Sequence, residues 1–424
     1  MKFDNVIIGG GLAGLICGIR LQQAGQRCAI ISTGQSALDF SSGSFDFLNQ
    51  LPNGDLVFDF AQGVRALSEQ HPTHLYSVIG ESAVMRARSQ FLAMKEALDL
   101  NLHGQAEQNH LRLTPLGALR PTWLTPRSVP TFSQNNEPLE KKRVVALGIE
   151  GFNDFQPHLL CDNMQRLAPF SRWDIHHAYL HIPELDHLRR DAREFRSINI
   201  SQALEHKLNF DQLVHEIKKA ANGADHVFLP ACFGLDNDHF LYQLAQACGL
   251  NLHELPTLPP SLLGIRQNRT LQAHFERLGG ILMKGDKVLR AEFEQSAVSG
   301  LKTQLSDGLL IKSTRYVLAS GSFFSNGLIA HFDQIIEPVF GLDLEKSDQR
   351  TDWTHHRFSA PQPYQQYGVK INAHCQAFKQ SAVCNNIYAI GAVVAGSDAI
   401  HLGCGSGVAV VSALNAAEHI LQEG

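Results

Sequence analysis

Val6-Ile7-Ile8-Gly9-Gly10-Gly11-Leu12-Ala13-Gly14 passes from an apolar, strand-like run directly into a helix-like one. Gly9, Gly11 and Gly14 carry the spacing of a dinucleotide-binding turn, and each meets a different demand. Gly9 permits the tight turn off the strand, Gly11 lets backbone amides approach a phosphate, and Gly14 lets the helix pack closely on the sheet. Working outward, residues 4–9 read as a buried parallel strand, 12–24 as a helix ending at Gly25, and 27–32 as a second strand, which makes one βαβ unit. A phosphate would rest on the helix N-terminus, so Gly9, Gly10, Gly11, Leu12, Ala13 and Gly14 are candidate cofactor residues.

A second glycine tract lies near the other end of the chain. Asn386-Ile387-Tyr388-Ala389-Ile390-Gly391-Ala392 precedes His401-Leu402-Gly403-Cys404-Gly405-Ser406-Gly407 and an alanine-rich helix. Such a helix can aim its positive end at a flavin ring and stabilise charge on the reduced form. Together the two tracts predict a flavoprotein, with Gly391, Ala392, Gly405, Ser406 and Gly407 as further cofactor candidates. Ser32 stands at the end of the second strand, where an adenosine ribose usually meets Asp or Glu. Neither Thr33 nor Gln35 supplies that carboxylate, which tilts the expected cofactor toward FMN, with FAD as the alternative. The small-residue loop 34–44 offers hydroxyl and amide groups, among them Ser41, Ser42, Gly43 and Ser44, that can wrap a flavin.

The chain has 424 residues and a formal net charge of -5, so it carries no basic field for nucleic acid. Its length exceeds the size at which one core stops growing, and two interleaved domains are expected. The cysteines, Cys17, Cys28, Cys161, Cys232, Cys248, Cys375, Cys384 and Cys404, are scattered without a C-x-x-C pair, so neither an iron-sulfur nor a zinc site is expected. The first strand opens without a charged leader, and no apolar run reaches bilayer length, so the expected location is cytoplasmic.

Residues 61–254 show no repeating βα rhythm and include the polar loop Ser133-Gln134-Asn135-Asn136-Glu137. They read as an inserted α+β cap. A helix over 268–278 and the run 281–283 follow, then alternating runs at 287–293, 298–303 and 309–311 that predict an antiparallel meander. Residues 316–319 and Gly321 bring the sheet back to the cofactor. The fold class is therefore α/β: a Rossmann-like flavin domain, a parallel sheet with a β-meander, assembled from 1–60, 255–325 and 365–424. Segments 61–254 and 326–364 form a cap, or a substrate or subunit-interface domain.

With these pieces in place, the chain resembles the B-subunit family of anaerobic glycerol-3-phosphate dehydrogenases, flavoproteins of the two-dinucleotide-binding-domain group. The likeness runs nearly end to end. It is carried by Gly34-Gln35-Ser36-Ala37-Leu38 with Ser41-Ser42-Gly43-Ser44, by Leu258-Pro259-Pro260-Ser261, by Ala319-Ser320-Gly321-Ser322-Phe323-Phe324 and by residues 391–407. The resemblance implies oxidation of sn-glycerol 3-phosphate to dihydroxyacetone phosphate, FMN in the B subunit, and electrons passed to quinone for fumarate or nitrate respiration. It also implies a catalytic A subunit, together with an iron-sulfur C subunit that holds the complex at the inner membrane. Many related flavoproteins follow the late strand with Gly-Asp, whereas this chain has Gly391-Ala392, and Asp398 is the nearest substitute.

Alcohol oxidation needs a group to take the hydroxyl proton, and histidine suits neutral pH. His401, in the loop before the late helix, is the first candidate, followed by His355 and His356 beside Trp353. A phosphorylated substrate needs a cation, best an arginine with its planar fork. Arg266, Arg120 and Arg357 are the candidates. A relay flavin would need neither group. Two other readings compete: a self-sufficient FAD dehydrogenase of another substrate, and a structural subunit with a vestigial nucleotide site.

Gly11→Val is predicted to abolish flavin retention, because the added side chain occupies the space a phosphate needs. A variant purified with full flavin content would contradict this placement.

Overall fold

The computed structural model describes every residue except 1, 135–137, 192, 208, 307 and 424. The end of the polar loop 133–137 therefore lies outside the described residues. A six-stranded sheet forms the centre, in the order Ile281–Lys284, Cys28–Ser32, Lys2–Ile8, Lys312–Leu318, Ala382–Ala389 and Gln376–Lys379. The first five strands are parallel, and Gln376–Lys379 closes the edge antiparallel to Ala382–Ala389. Register places Ile7 opposite Ile30 and Val317, a continuous apolar layer typical of a sheet covered on both faces. Helix Leu12–Gln23 packs against the last helix, Gly405–Gln422, which in turn packs on helix Glu81–Ala97.

That last contact moves a boundary expected from sequence. Phe60, Val64, Leu67, Leu75, Tyr76, Val84 and Phe91, expected at the edge of the flavin domain or in the cap, share the core of the first sheet. They belong there because helices Leu75–Ile79 and Glu81–Ala97 cover the last helix, which alone would leave its second face in water, and helix Phe60–Gln70 packs on those two.

A second core lies under another sheet, in the order Asn251–Leu255, His226–Pro230, Arg143–Ile149 and Asp174–Leu180, all parallel. A βα rhythm, not expected from the sequence, is thus present over 143–255. Its signal is masked because the edge strand Asp174–Leu180 reads DIHHAYL, largely polar, and short 3-10 turns interrupt the helical segments. A small antiparallel sheet, Leu119–Thr122, His110–Leu113 and Thr131–Phe132, packs on the second core through Leu113, Leu119 and Phe132.

Two other expectations are corrected. The helix predicted over 268–278 runs from Leu262 to Arg277, starting directly after Pro259-Pro260-Ser261. The predicted meander is a hairpin of Val288–Glu294 and Ala297–Thr303; Ile311 adds only a bridge to Leu301, and Lys312 already begins the next central strand.

Arg266 lies on that longer helix. Its Nη1 donates to a Glu254 carboxylate oxygen at 2.7 Å and its Nη2 to the other at 3.0 Å, while Nε donates to the Gly234 carbonyl at 2.8 Å. Glu254 is fully buried in strand Asn251–Leu255, so the pair fastens the second sheet to the helix returning to the first. Breaking a buried pair on one side strands a charge. Glu254→Met is expected to destabilise the protein by about 3–5 kcal/mol in urea unfolding, and the added Arg266→Met change to recover most of that loss. A stable Arg266→Met protein with lost substrate affinity would contradict the structural role.

Candidate functional site

At the first glycine turn, space is distributed as the sequence demands. Gly9 has φ +116°, and a Cβ there would overlap the carbonyl of Ala319 on the neighbouring strand. A Cβ on Gly14 would overlap the carbonyl oxygen of Gly9. A Cβ on Gly11 would meet nothing within 4 Å, which leaves an open cradle over the helix start. Leu12 and Ala13 begin that helix, and Gly11 caps it without a side-chain bond, so its first amides are left for a ligand. Gly10 crowds Ser32, whose hydroxyl donates to the Gly34 carbonyl at 3.2 Å.

Loop 34–44 is held rather than loose. The Ser36 hydroxyl accepts from the Leu38 amide at 3.2 Å and the Ser41 hydroxyl from the Gly43 amide at 3.2 Å. The Asp39 carboxylate accepts from the Ser36 amide at 3.3 Å and from Asn268 Nδ2 at 2.8 Å. Gly43, at φ +73°, sits against Leu263, and Gly264 lies under the Leu38 carbonyl. The helix Leu262–Arg277 is therefore the floor of this loop. Ser42 is half-buried, and the Ser44 hydroxyl is buried with no protein partner. Asp46 Oδ1 and both amide atoms of Asn49 share that condition.

The second glycine tract joins the first. Gly391, at φ +73°, ends the late strand so close that its Cβ would lie 2.8 Å from the Ala13 Cβ, and its amide donates to Ser412 Oγ at 2.8 Å. Ala392 is exposed beside it. Gly321, at φ +80°, turns the chain after the adjacent strand Lys312–Leu318. Gly405 and Ser406 open the last helix, which also lacks a side-chain cap. The Gly407 amide donates to the Asp46 carbonyl at 2.9 Å, and a Cβ there would strike Tyr76 and Phe47. Two helix starts and the 44–49 segment thus converge on one region. The open cradle, the free amides and the unpartnered polar atoms fit a bound flavin.

Beside that region stand two arginines. Arg112 and Arg120 face each other directly across the hairpin His110–Leu113 and Leu119–Thr122, so their side chains share a face. Arg112 is 6% exposed and gives only Nε to a neighbour, Thr122 Oγ1 at 3.0 Å. Arg120 lies 3.8 Å from an Asp46 carboxylate oxygen. Burial pulls Arg112 below the usual arginine range, Asp46 opposes this, and Arg120 adds to it. Like charges directly opposed across a pair of strands are destabilising.

His401 lies on the short helix Ala399–Leu402, with its carbonyl accepting from Gln50 Nε2 at 2.6 Å and its Nδ1 3.4 Å from the same nitrogen. It joins the 44–50 segment. Asp398 is 3% exposed and caps this helix by accepting from the His401 amide at 3.0 Å. His355 and His356 lie with ring centroids 4.3 Å apart and tilted by 33° in an exposed loop with Arg357, and the hydrogen bonds of His355 and Arg357 run to each other and to Gln362. Arg266, expected to clamp phosphate, is corrected to a structural ion pair whose donors are already engaged. Arg112, Asp46, Asn49 and His74 were not singled out by their sequence context. His74 is fully buried, accepts the Tyr76 amide at Nδ1 at 3.1 Å and sets Nε2 3.7 Å from Cys404 Sγ; burial holds it down at about 3, hence neutral. A hairpin reading of HLRL and LRPT about the turn 114–118 was the available signal for Arg112.

Residues 4–408 match the model of the FAD binding domain family. The chain is 53% identical over 425 residues to the B subunit of the anaerobic glycerol-3-phosphate dehydrogenase of Pasteurella multocida, covering 99% of each. It is 54% identical over 426 residues to the protein of that name from Actinobacillus pleuropneumoniae, again covering 99% of each. Among solved structures, an Escherichia coli quinol fumarate reductase variant aligns at 10% identity with a TM-score of 0.44, covering 100% of this chain and 70% of the other. The chain belongs to the FAD binding domain family of flavoproteins and, within it, to the B-subunit family of anaerobic glycerol-3-phosphate dehydrogenases.

Proposed function

We propose that this chain oxidises sn-glycerol 3-phosphate to dihydroxyacetone phosphate at its flavin site, with the substrate phosphate held by Arg112 and Arg120. The observation that carries this reading is the arginine pair, directly opposed in register and adjacent to the segment contacted by the last helix. A buried guanidinium with free terminal nitrogens suits a phosphate, because its fork matches two oxygens at once. Asp46 positions Arg120 for the same oxygens. His401 takes the hydroxyl proton while the C2 hydrogen leaves as hydride, so that a proton departs from oxygen and a hydride, with both electrons, departs from carbon. A flavin, when bound, supplies the hydride acceptor. Helix Gly405–Gln422 stabilises negative charge at its uncapped start.

We propose FMN as the flavin, on the absence of a carboxylate at Ser32 or its neighbours. The match to a family of FAD binding domains favours FAD more directly and is the second reading. The relatives are named as one subunit of a dehydrogenase, which supports a complex. Its partners in this proposal are an A subunit that completes the dehydrogenase, together with an iron-sulfur C subunit that passes electrons to quinone in fumarate or nitrate respiration. The complex would lie on the cytoplasmic side of the inner membrane, attached through a partner. Among the described residues no helix is long and apolar enough to cross a membrane. Segments 1–60, 255–325 and 365–424 are proposed as the flavin domain, to which the packing adds helices 60–97.

Arg112→Met and Arg120→Met should each raise the KM for glycerol 3-phosphate about ten-fold or more, since a hydrogen bond to a charged group contributes about 1.5–3 kcal/mol. Thermal stability of Arg112→Met should hold, because the Thr122 hydroxyl keeps its bond to the Arg120 carbonyl. Unchanged KM in both variants would remove the phosphate clamp. Cofactor identity is read by denaturing the purified protein and weighing the released flavin. The mass of FMN is expected, and that of FAD would require another group to hold the adenosine.

A further inference from the structure

Beside strand Thr131–Phe132, whose Thr131 pairs with Arg112, a cavity of about 450 Å³ opens at the amino ends of the second parallel sheet. Lys142 precedes strand Arg143–Ile149, Trp173 precedes Asp174–Leu180, His226 begins His226–Pro230, and His253 lies in Asn251–Leu255. The opposite ends of these strands are occupied otherwise, since Glu254 near one carboxyl end is bound to Arg266. Nothing in the proposed chemistry uses this cavity.

Its wall combines features that point to a ligand. Trp173 is parallel to the His226 ring, with an interplanar angle of 4° and centroids 6.4 Å apart. His226 Nδ1 lies 3.0 Å from His253 Nε2, so each imidazole satisfies the other on one side and keeps its second nitrogen. Burial holds His253 down at about 4, so it is neutral at ordinary pH and can donate or accept a hydrogen bond without a charge. Phe228 packs edge-on against His253 at 5.7 Å. Arg127, beside His103, and Lys142, beside His226, add two cationic groups to the lining, and Glu140, which is exposed, is the one acidic residue among it. Aromatic faces, neutral imidazoles and a surplus of positive charge are therefore gathered in a space the size of a small-molecule site.

We infer that this cavity binds a planar aromatic ring carrying an anionic group, the ring against Trp173 and the anion at Arg127 and Lys142. A nucleotide phosphate and an aromatic carboxylate share that chemistry. Binding is measured on the flavin-loaded protein by tryptophan fluorescence and calorimetry, with AMP and benzoate as probes and adenosine and inorganic phosphate as controls. At least one anionic aromatic probe should bind saturably, ten-fold or more tightly than either control. AMP alone identifies a phosphate-bearing ligand, and benzoate alone a carboxylate. The Arg127→Ala, Lys142→Ala double variant should weaken that binding ten-fold or more with an unchanged thermal midpoint, and Trp173→Phe should remove the fluorescence response. Arg112→Met should leave it unaltered, which separates the cavity from the proposed substrate clamp. Absence of saturable binding, or binding that survives in the double variant, would overturn the inference.

Discussion

The structure depends on how closely three pieces of backbone approach at the first glycine turn. Gly9 lies under the Ala319 carbonyl and Gly14 lies on Gly9, with no room for a side chain at either contact. That approach lets the first helix descend onto the sheet between strands Lys2–Ile8 and Lys312–Leu318, which are far apart in sequence but adjacent in register. The same descent aims uncapped amides at the open space over Gly11. Gly391, pressed against Ala13, donates its amide to Ser412 of the last helix and so ties that helix to the first. The open space over Gly11 and the packing of the last helix on the first are thus two outcomes of one packing constraint.

Charge is used in two opposite ways around this frame. Arg266 and Glu254 are buried together and satisfy one another, joining the two cores without leaving a charge over. Arg112 and Arg120 are set against each other with a single carboxylate, Asp46, 3.8 Å from Arg120. The first arrangement is closed. The second holds positive charge in surplus, which is the condition for taking up an anion. His74 serves the same region from beneath: neutral and buried, it meets Cys404 at the start of the last helix without adding charge.

The flavin end of the fold was legible because glycine spacing and unbroken apolar strands are local signals. Residues 6–14, 28–32 and 387–391 each declare their role within a few positions, and the parallel central sheet follows from them. The second parallel sheet was not legible, since its edge strand is mostly polar and its helices are broken by short turns. Arg266 illustrates a different limit. Its place after a proline turn is visible in sequence, but its partner Glu254 acts through burial on a strand that has no clear sequence signal. Arg112 pairs with Arg120 only once the hairpin register is known, and that register was open to the sequence only by reading HLRL and LRPT as two short strands about the turn 114–118.

The central claim is that substrate oxidation and flavin binding share this one chain. It is tested most directly by mixing the purified, flavin-loaded chain with sn-glycerol 3-phosphate under anaerobic conditions and following the visible flavin absorbance. Bleaching is expected with glycerol 3-phosphate and none with glycerol, because the arginine pair recognises the phosphate. A flavin that stays oxidised with the substrate, yet is reduced by dithionite, would contradict the claim and leave the chain as an electron relay.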